Sequence, residues 1–140
     1  MADLLDIEDV LTHAQLDLYV GGQLEAQMHL LSSVWADGDA SEKLREWALD
    51  EVLLDLAERV PPIREADIAI PAELHRAARH KAAERMYDVA MTGGGDAELW
   101  HAKMRTETKR YGSVMGKLSP TVADGVQAPS GAGSVGLSRR

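Results

Sequence analysis

The chain contains no cysteine and no phenylalanine, and aromatic residues make up only 4% of it. Without cysteine there is no disulfide framework and no thiolate metal site, so the redox compartment stays open. Without phenylalanine the core has to be filled by aliphatic side chains and alanine. Long apolar runs are missing too, and none approaches the ~20 residues of a membrane span. Residues 1–12 carry Asp3, Asp6, Glu8 and Asp9 and no positive side chain. A secretory leader needs a basic start, so none is expected, and the chain is expected to be soluble and made in a cytoplasm. There is no HExxH pair, no Gly-Lys-Ser/Thr phosphate loop, and no nucleophile elbow around Ser32, Ser33, Ser113 or Ser119. Neither enzymatic activity nor a cofactor is expected.

What is present is one domain's worth of helical pattern, 140 residues with a net charge of -8. That charge is unevenly placed. Residues 1–70 hold 16 acidic against 4 basic side chains, a net of -12, whereas residues 71–140 hold 7 against 11, a net of +4. Such a split bears on association rather than on fold. Read plainly, it is a solubilising acidic surface. Read more sharply, the acidic half of one copy meets the basic half of the next. Interface candidates are then Arg76, Arg79, Lys103, Arg105, Lys109 and Arg110 on the basic side and Asp50 and Asp55 on the acidic side. General nucleic-acid binding is disfavoured by so acidic a total.

Asp6 is placed to cap a helix carrying Ile7, Val10, Leu11, Ala14 and Leu18 on one face, with Asp9 near its positive end. Gly21-Gly22 ends it, and a second amphipathic stretch follows with Leu24, Met28, Leu31 and Val34/Trp35. Helix, glycine turn, helix is also the outline of a DNA-reading pair. The second helix, Gln23 to Trp35, has no Lys or Arg to hold phosphate, so two packed core helices are expected instead. The acidic turn from Asp37 fails as a calcium loop, because its sixth and twelfth places hold Glu42 and Ala48. Asp39 with Glu42 reads better as a capping box. It opens a helix to about Val60 with Leu44, Trp47, Ala48, Val52, Leu56 and Val60 inward, stopped by Pro61-Pro62. Ile63 to Ile70 is a connector, extended at most along one edge.

Ile70 to Met91, IPAELHRAARHKAAERMYDVAM, is the central helix. Pro71 suits a first turn, and Leu74, Ala77, Ala78, Ala82, Met86 and Val89 fall on one broad face. Arg76, Arg79, His80, Lys81, Glu84, Arg85 and Asp88 supply the opposite one. His80 and Glu84, one turn apart, could share a cation, but His75 lies about 140° away round the helix, so no metal site is expected and the pair reads as solvated. Gly93-Gly94-Gly95 stops the helix. Asp96 then caps a last one, Ala97 to Lys117, with Leu99, Trp100, Met104, Tyr111 and Met115 apolar and the densest basic charge of the chain. The expected fold is an all-α bundle of four to five helices over residues 1–118, with Trp47, Leu56, Leu74, Ala78, Met86 and Leu99 in its core. Residues 119–140 form an extended tail: 13 of these 22 residues are Gly, Ser, Ala or Pro, too polar and small to order alone. Val122, Val126, Val135 and Leu137 are spaced along it as anchors, and Arg139-Arg140 are its last two residues.

Taken together, an acidic helix pair, a long helix ending in Pro-Pro, IPAELHRAARHKAAERMYDVA, a glycine turn and a basic helix resemble the head–tail connector (adaptor, head-completion) proteins of tailed bacteriophages. The resemblance runs over roughly residues 5–118. It implies a ring of about twelve copies under the portal protein. Such a ring extends the DNA channel and docks the next neck or tail protein, with DNA touched only as non-specific channel contents. The tail anchors Val122, Val126, Val135, Leu137, Arg139 and Arg140 would then bind the portal. The expected location is the virion neck, and the host cytoplasm before assembly, with no membrane contact. The other function classes are a small helical regulator acting as a dimer on protein or DNA, and an enzyme subunit completed by a partner.

Overall fold

In the computed structural model, which describes residues 5–36, 38–93 and 96–123, alanine decides how the centre is built. Among the described residues the helices are, in chain order, α1 (His13–Tyr19), α2 (Gln23–Ala26), α3 (Met28–Val34), α4 (Ala40–Ala57), α5 (His75–Thr92) and α6 (Ala97–Lys117). Pro71 opens a 3-10 turn, Pro71–Leu74, that runs straight into α5. Leu74, Ala77, Ala78, Ala82, Met86 and Val89 are all buried. Alanine's short side chain lets neighbouring backbones approach, and α5 packs most extensively on α6 and next on α4. Each large apolar side chain buried around it contributes on the order of 1.5–3 kcal/mol. The expected all-α bundle is the observed one.

Several local expectations need correction. The first amphipathic stretch is not one helix. Asp6 caps only a 3-10 turn, Ile7–Asp9, and α1 starts afresh at Thr12, whose side chain forms a capping box with Gln15. The restart rotates the stripe. Leu16 and Val20 point inward, while Ala14 and Leu18 are exposed. Gly22 adopts a left-handed φ of 82° at the turn that follows, a conformation open to glycine at little cost. The expected second helix breaks at Gln27 into α2 and α3, with Val34 exposed. Asp39 caps α4 through the Ser41 N–H, and α4 ends at Ala57, leaving Val60 almost fully exposed. Leu99 is exposed, not core, and Trp47 is half-buried.

Leu99 is displaced for a geometric reason. The inward stripe of α6 runs through Trp100, Met104, Glu107, Tyr111 and Val114, at spacings of four and three. A residue one place before Trp100 lies about 100° off that stripe. Trp100 takes the inner place and stacks on Tyr87, with ring centroids 5.8 Å apart. At the α5–α6 turn, a Cβ on Gly93 would come within 2.3 Å of the Leu30 side chain, so α3 is seated against a bare backbone there.

The start of the tail is folded onto its own bundle. Arg59 donates to the carbonyls of Leu118 at 2.6 Å and Met115 at 2.5 Å, satisfying the open C-terminal end of α6. Pro120 is buried. Val122 forms an isolated antiparallel bridge with Ile68, flanked by Ala69 N–H to Thr121 carbonyl at 2.9 Å and Ala123 N–H to Asp67 carbonyl at 2.7 Å. Glu73 accepts from the Thr121 N–H at 2.6 Å and hydroxyl at 2.8 Å. Val122 is therefore an intramolecular clip in this structure, not a free anchor. Residues 119–123 thus pack on the bundle. The anchors Val126, Val135, Leu137, Arg139 and Arg140 lie outside the described residues.

Candidate functional site

The interface between α5 and α6 is where polar chemistry concentrates. His80, expected on the solvated face of α5, is 4% exposed, and Glu107 of α6 is equally buried. The two meet at 2.9 Å between Nδ1 and Oε1. Tyr19 of α1 donates its hydroxyl to both Glu107 oxygens, at 2.9 and 3.0 Å, and Arg110 donates to Tyr19 at 3.0 Å and to Glu107 at 3.2 Å. A buried carboxylate is costly unless it is paired and hydrogen-bonded, and Glu107 is both. Burial holds the His80 imidazole below its usual value, with Glu107 pulling it back up. Neutral His80 then donates from Nδ1 to Glu107. Burial likewise raises the Tyr19 phenol, opposed by its bond from Arg110. The expected His80–Glu84 pair does not form. Glu84 instead meets Lys81 at 3.1 Å and accepts from the Thr108 hydroxyl.

The guanidinium of Arg79 lies 4.3 Å from the centre of the Tyr19 ring. Beside it opens a cavity of about 320 Å³ lined by Tyr19, Arg76, Arg79, His80, Arg110, Ser113 and Val114. Three of the interface candidates thus converge on one hollow. Lys103 borders a neighbouring hollow with Tyr87, Glu107 and Arg110, and Arg105 lies in another with Met91, Glu98 and His101. Lys109 is exposed on α6. The acidic candidates are placed apart from one another. Asp50 is exposed on α4, whereas half-buried Asp55 accepts a hydrogen bond from buried Tyr111. Burial, reinforced by Glu65 and Glu51, raises the Asp50 carboxyl above its usual range.

A second polar cluster, unforeseen in the sequence, joins the first helices to α4. His13 contacts the Ser41 hydroxyl through Nδ1 and Glu25 through Nε2, each at 2.6 Å. A serine beside an imidazole held by a carboxylate is the outline of an activated nucleophile. Ser41, however, is 1% exposed, and its Oγ also accepts from Arg45 Nε at 3.2 Å. Arg45, itself 3% exposed, donates further to Glu8 at 2.6 Å and to the Leu11 carbonyl at 3.1 Å. A buried hydroxyl already held by both His13 and Arg45 is closed to an incoming acyl or phosphoryl group. The cluster fastens α1 and the segment before it to α4. The signal that could have located it is Arg45 itself, a cation inside the apolar stripe Leu44–Ala48–Leu49–Val52.

Among the described residues no group of three His, Asp or Glu side chains could hold a metal ion, and no helix is long and apolar enough to cross a membrane. Comparison with protein families, curated proteins and solved structures gives no match for this chain.

Proposed function

We propose that this protein is a head–tail connector of a tailed bacteriophage or related particle, a ring-forming adaptor beneath the portal with no reaction of its own. The observation that carries the reading is the α5–α6 hairpin. A helix opened by Pro71 forms the bundle's centre, a glycine turn follows, and α6 then lies across it with Lys103, Arg105, Lys109 and Arg110 exposed. In a ring this basic face would meet the acidic helices of the next copy, in a heterologous contact that closes by rotation. Exposed charge pairs are worth only about 0–1 kcal/mol each, so apolar side chains left outside, such as Leu54, Val60 and Leu99, would have to supply most of the affinity. The clip at Thr121–Ala123 gives residues 124–140 a fixed point of departure toward the portal. The ring would sit at the virion neck and contact DNA only through the charge of its channel.

The test is the mass of the protein alone and with a purified portal ring. A monomer alone that decorates the portal in many copies supports the reading. A stable free dimer that ignores the portal contradicts it and points to the regulator class instead.

A further inference from the structure

The α1–α5–α6 cavity has the makings of an anion site. Arg76, Arg79 and Arg110 line it, against the single carboxylate of Glu107 behind them. Among the described residues Arg76 and Arg79 form no ion pair. The Nε of Arg79 is buried with no hydrogen-bond partner there, although the guanidinium is held in place over Tyr19. An unmet buried donor is costly, and a donor fixed by stacking is already oriented for an acceptor. Ser113 adds a hydroxyl to the same wall, while the Tyr19 hydroxyl is turned to Glu107.

We propose that this cavity binds a dianionic phosphate group, either free phosphate or the end of a phosphate monoester. A lone carboxylate is satisfied by one arginine fork. Three guanidiniums around one hollow, offset by one carboxylate, match a tetrahedral group with two charges and several acceptor oxygens. The cavity of about 320 Å³ takes such a group with a small organic remainder. A phosphodiester in nucleic acid carries one charge per phosphate and would have to run along the surface rather than enter. The site is formed within a single chain, so the inference does not rest on the ring.

The experiment is calorimetric titration of the full chain at fixed ionic strength, set by chloride. Inorganic phosphate, glycerol 1-phosphate and an unphosphorylated single-stranded 20-mer are the three probes. Saturable binding of one phosphate per chain is expected, with glycerol 1-phosphate competing if monoesters are taken and failing to compete if the site accepts free phosphate only. Arg79→Gln and Arg76→Gln should each weaken phosphate about tenfold or more, as loss of a charge-assisted bond implies, while Arg105→Gln changes it less than about twofold. Arg76 is exposed, so its variant keeps the test decisive if Arg79→Gln disturbs the fold. No phosphate binding above the chloride background would overturn the proposal. So would equal weakening by Arg105→Gln, or binding confined to the oligonucleotide.

Discussion

α5 and α6 pack against each other along most of their length, yet they are built on opposite principles. Half of α5 is buried, and most of what it buries is alanine, with Met86, Tyr87, Val89 and His80. On α6 only Glu107 and Tyr111 are buried, and both are polar. α5 is enclosed from several sides: α4 and α6 cover it most extensively, and α1 and α3 make further contacts with it. α6 is attached by one stripe and shows the rest of its surface to solvent. The difference teaches that α5 holds the fold and α6 presents it. A change to α5 should be felt as stability, and a change to the outer face of α6 as binding.

The largest expected effect is on α5. Met86→Ala removes a fully buried side chain whose neighbours cannot close the gap, and should cost about 2–4 kcal/mol in chemical denaturation. A loss below 1 kcal/mol would mean that α5 is less enclosed than its burial indicates. Next is the polar seam. Glu107→Ala strips the acceptor from His80, Tyr19 and Arg110 together, and should cost about 1–3 kcal/mol. An Arg110→Ala variant, which leaves the buried pair intact, should cost markedly less; equal losses would break the distinction between the inner and outer halves of α6.

The same seam sets two pH dependences. All three tyrosines of the chain are raised above the usual phenol value. Burial pushes Tyr87 up to about 12, and burial followed by the bond to Asp55 raises Tyr111. Their folded values exceed the unfolded one, so the stabilisation is complete below pH 10 and is lost as pH rises towards 12. That loss is expected to be about 1–3 kcal/mol, and phenolate absorbance should lag behind that of the unfolded chain. Phenols that ionise near pH 10 while the helices remain intact would contradict it. His80 works in the other direction. Its folded value lies below the unfolded 6.5, so the unfolded chain takes up the proton first and stability falls as pH drops below 6.5. His80→Gln should flatten that part of the profile. The smallest effect belongs to the outside of α6: Leu99→Ala should change stability by less than about 0.5 kcal/mol.

The helices were legible where a local signal fixes them. Pro71 and Asp96 start helices as their chemistry suggests, Gly21-Gly22 stops one, and the alanine stripe of α5 is buried in full. Partners across the fold were not legible. His80 and Glu84 share a helix at contact spacing, yet His80 turns to Glu107, 27 residues on, because only tertiary packing brings α6 over it. Arg45 and Ser41 fit the helix period without revealing that Glu8 and His13 would reach them. The fresh start at Thr12 depends on a capping box that an apolar stripe does not encode. The clip of Val122 on Ile68 needed two segments far apart in sequence to meet.

The division between a holding helix and a presenting helix is tested most directly by charge reversal. Arg105→Glu with Lys109→Glu alters only exposed positions of α6. The measurement is the mass of the portal-bound assembly formed by this variant and by the unaltered chain at low salt, with melting recorded on the same samples. The account predicts unchanged melting, a ring on the portal for the unaltered chain that weakens as salt is added, and little or no ring for the variant. Equal assembly by both proteins, insensitive to salt, would contradict it.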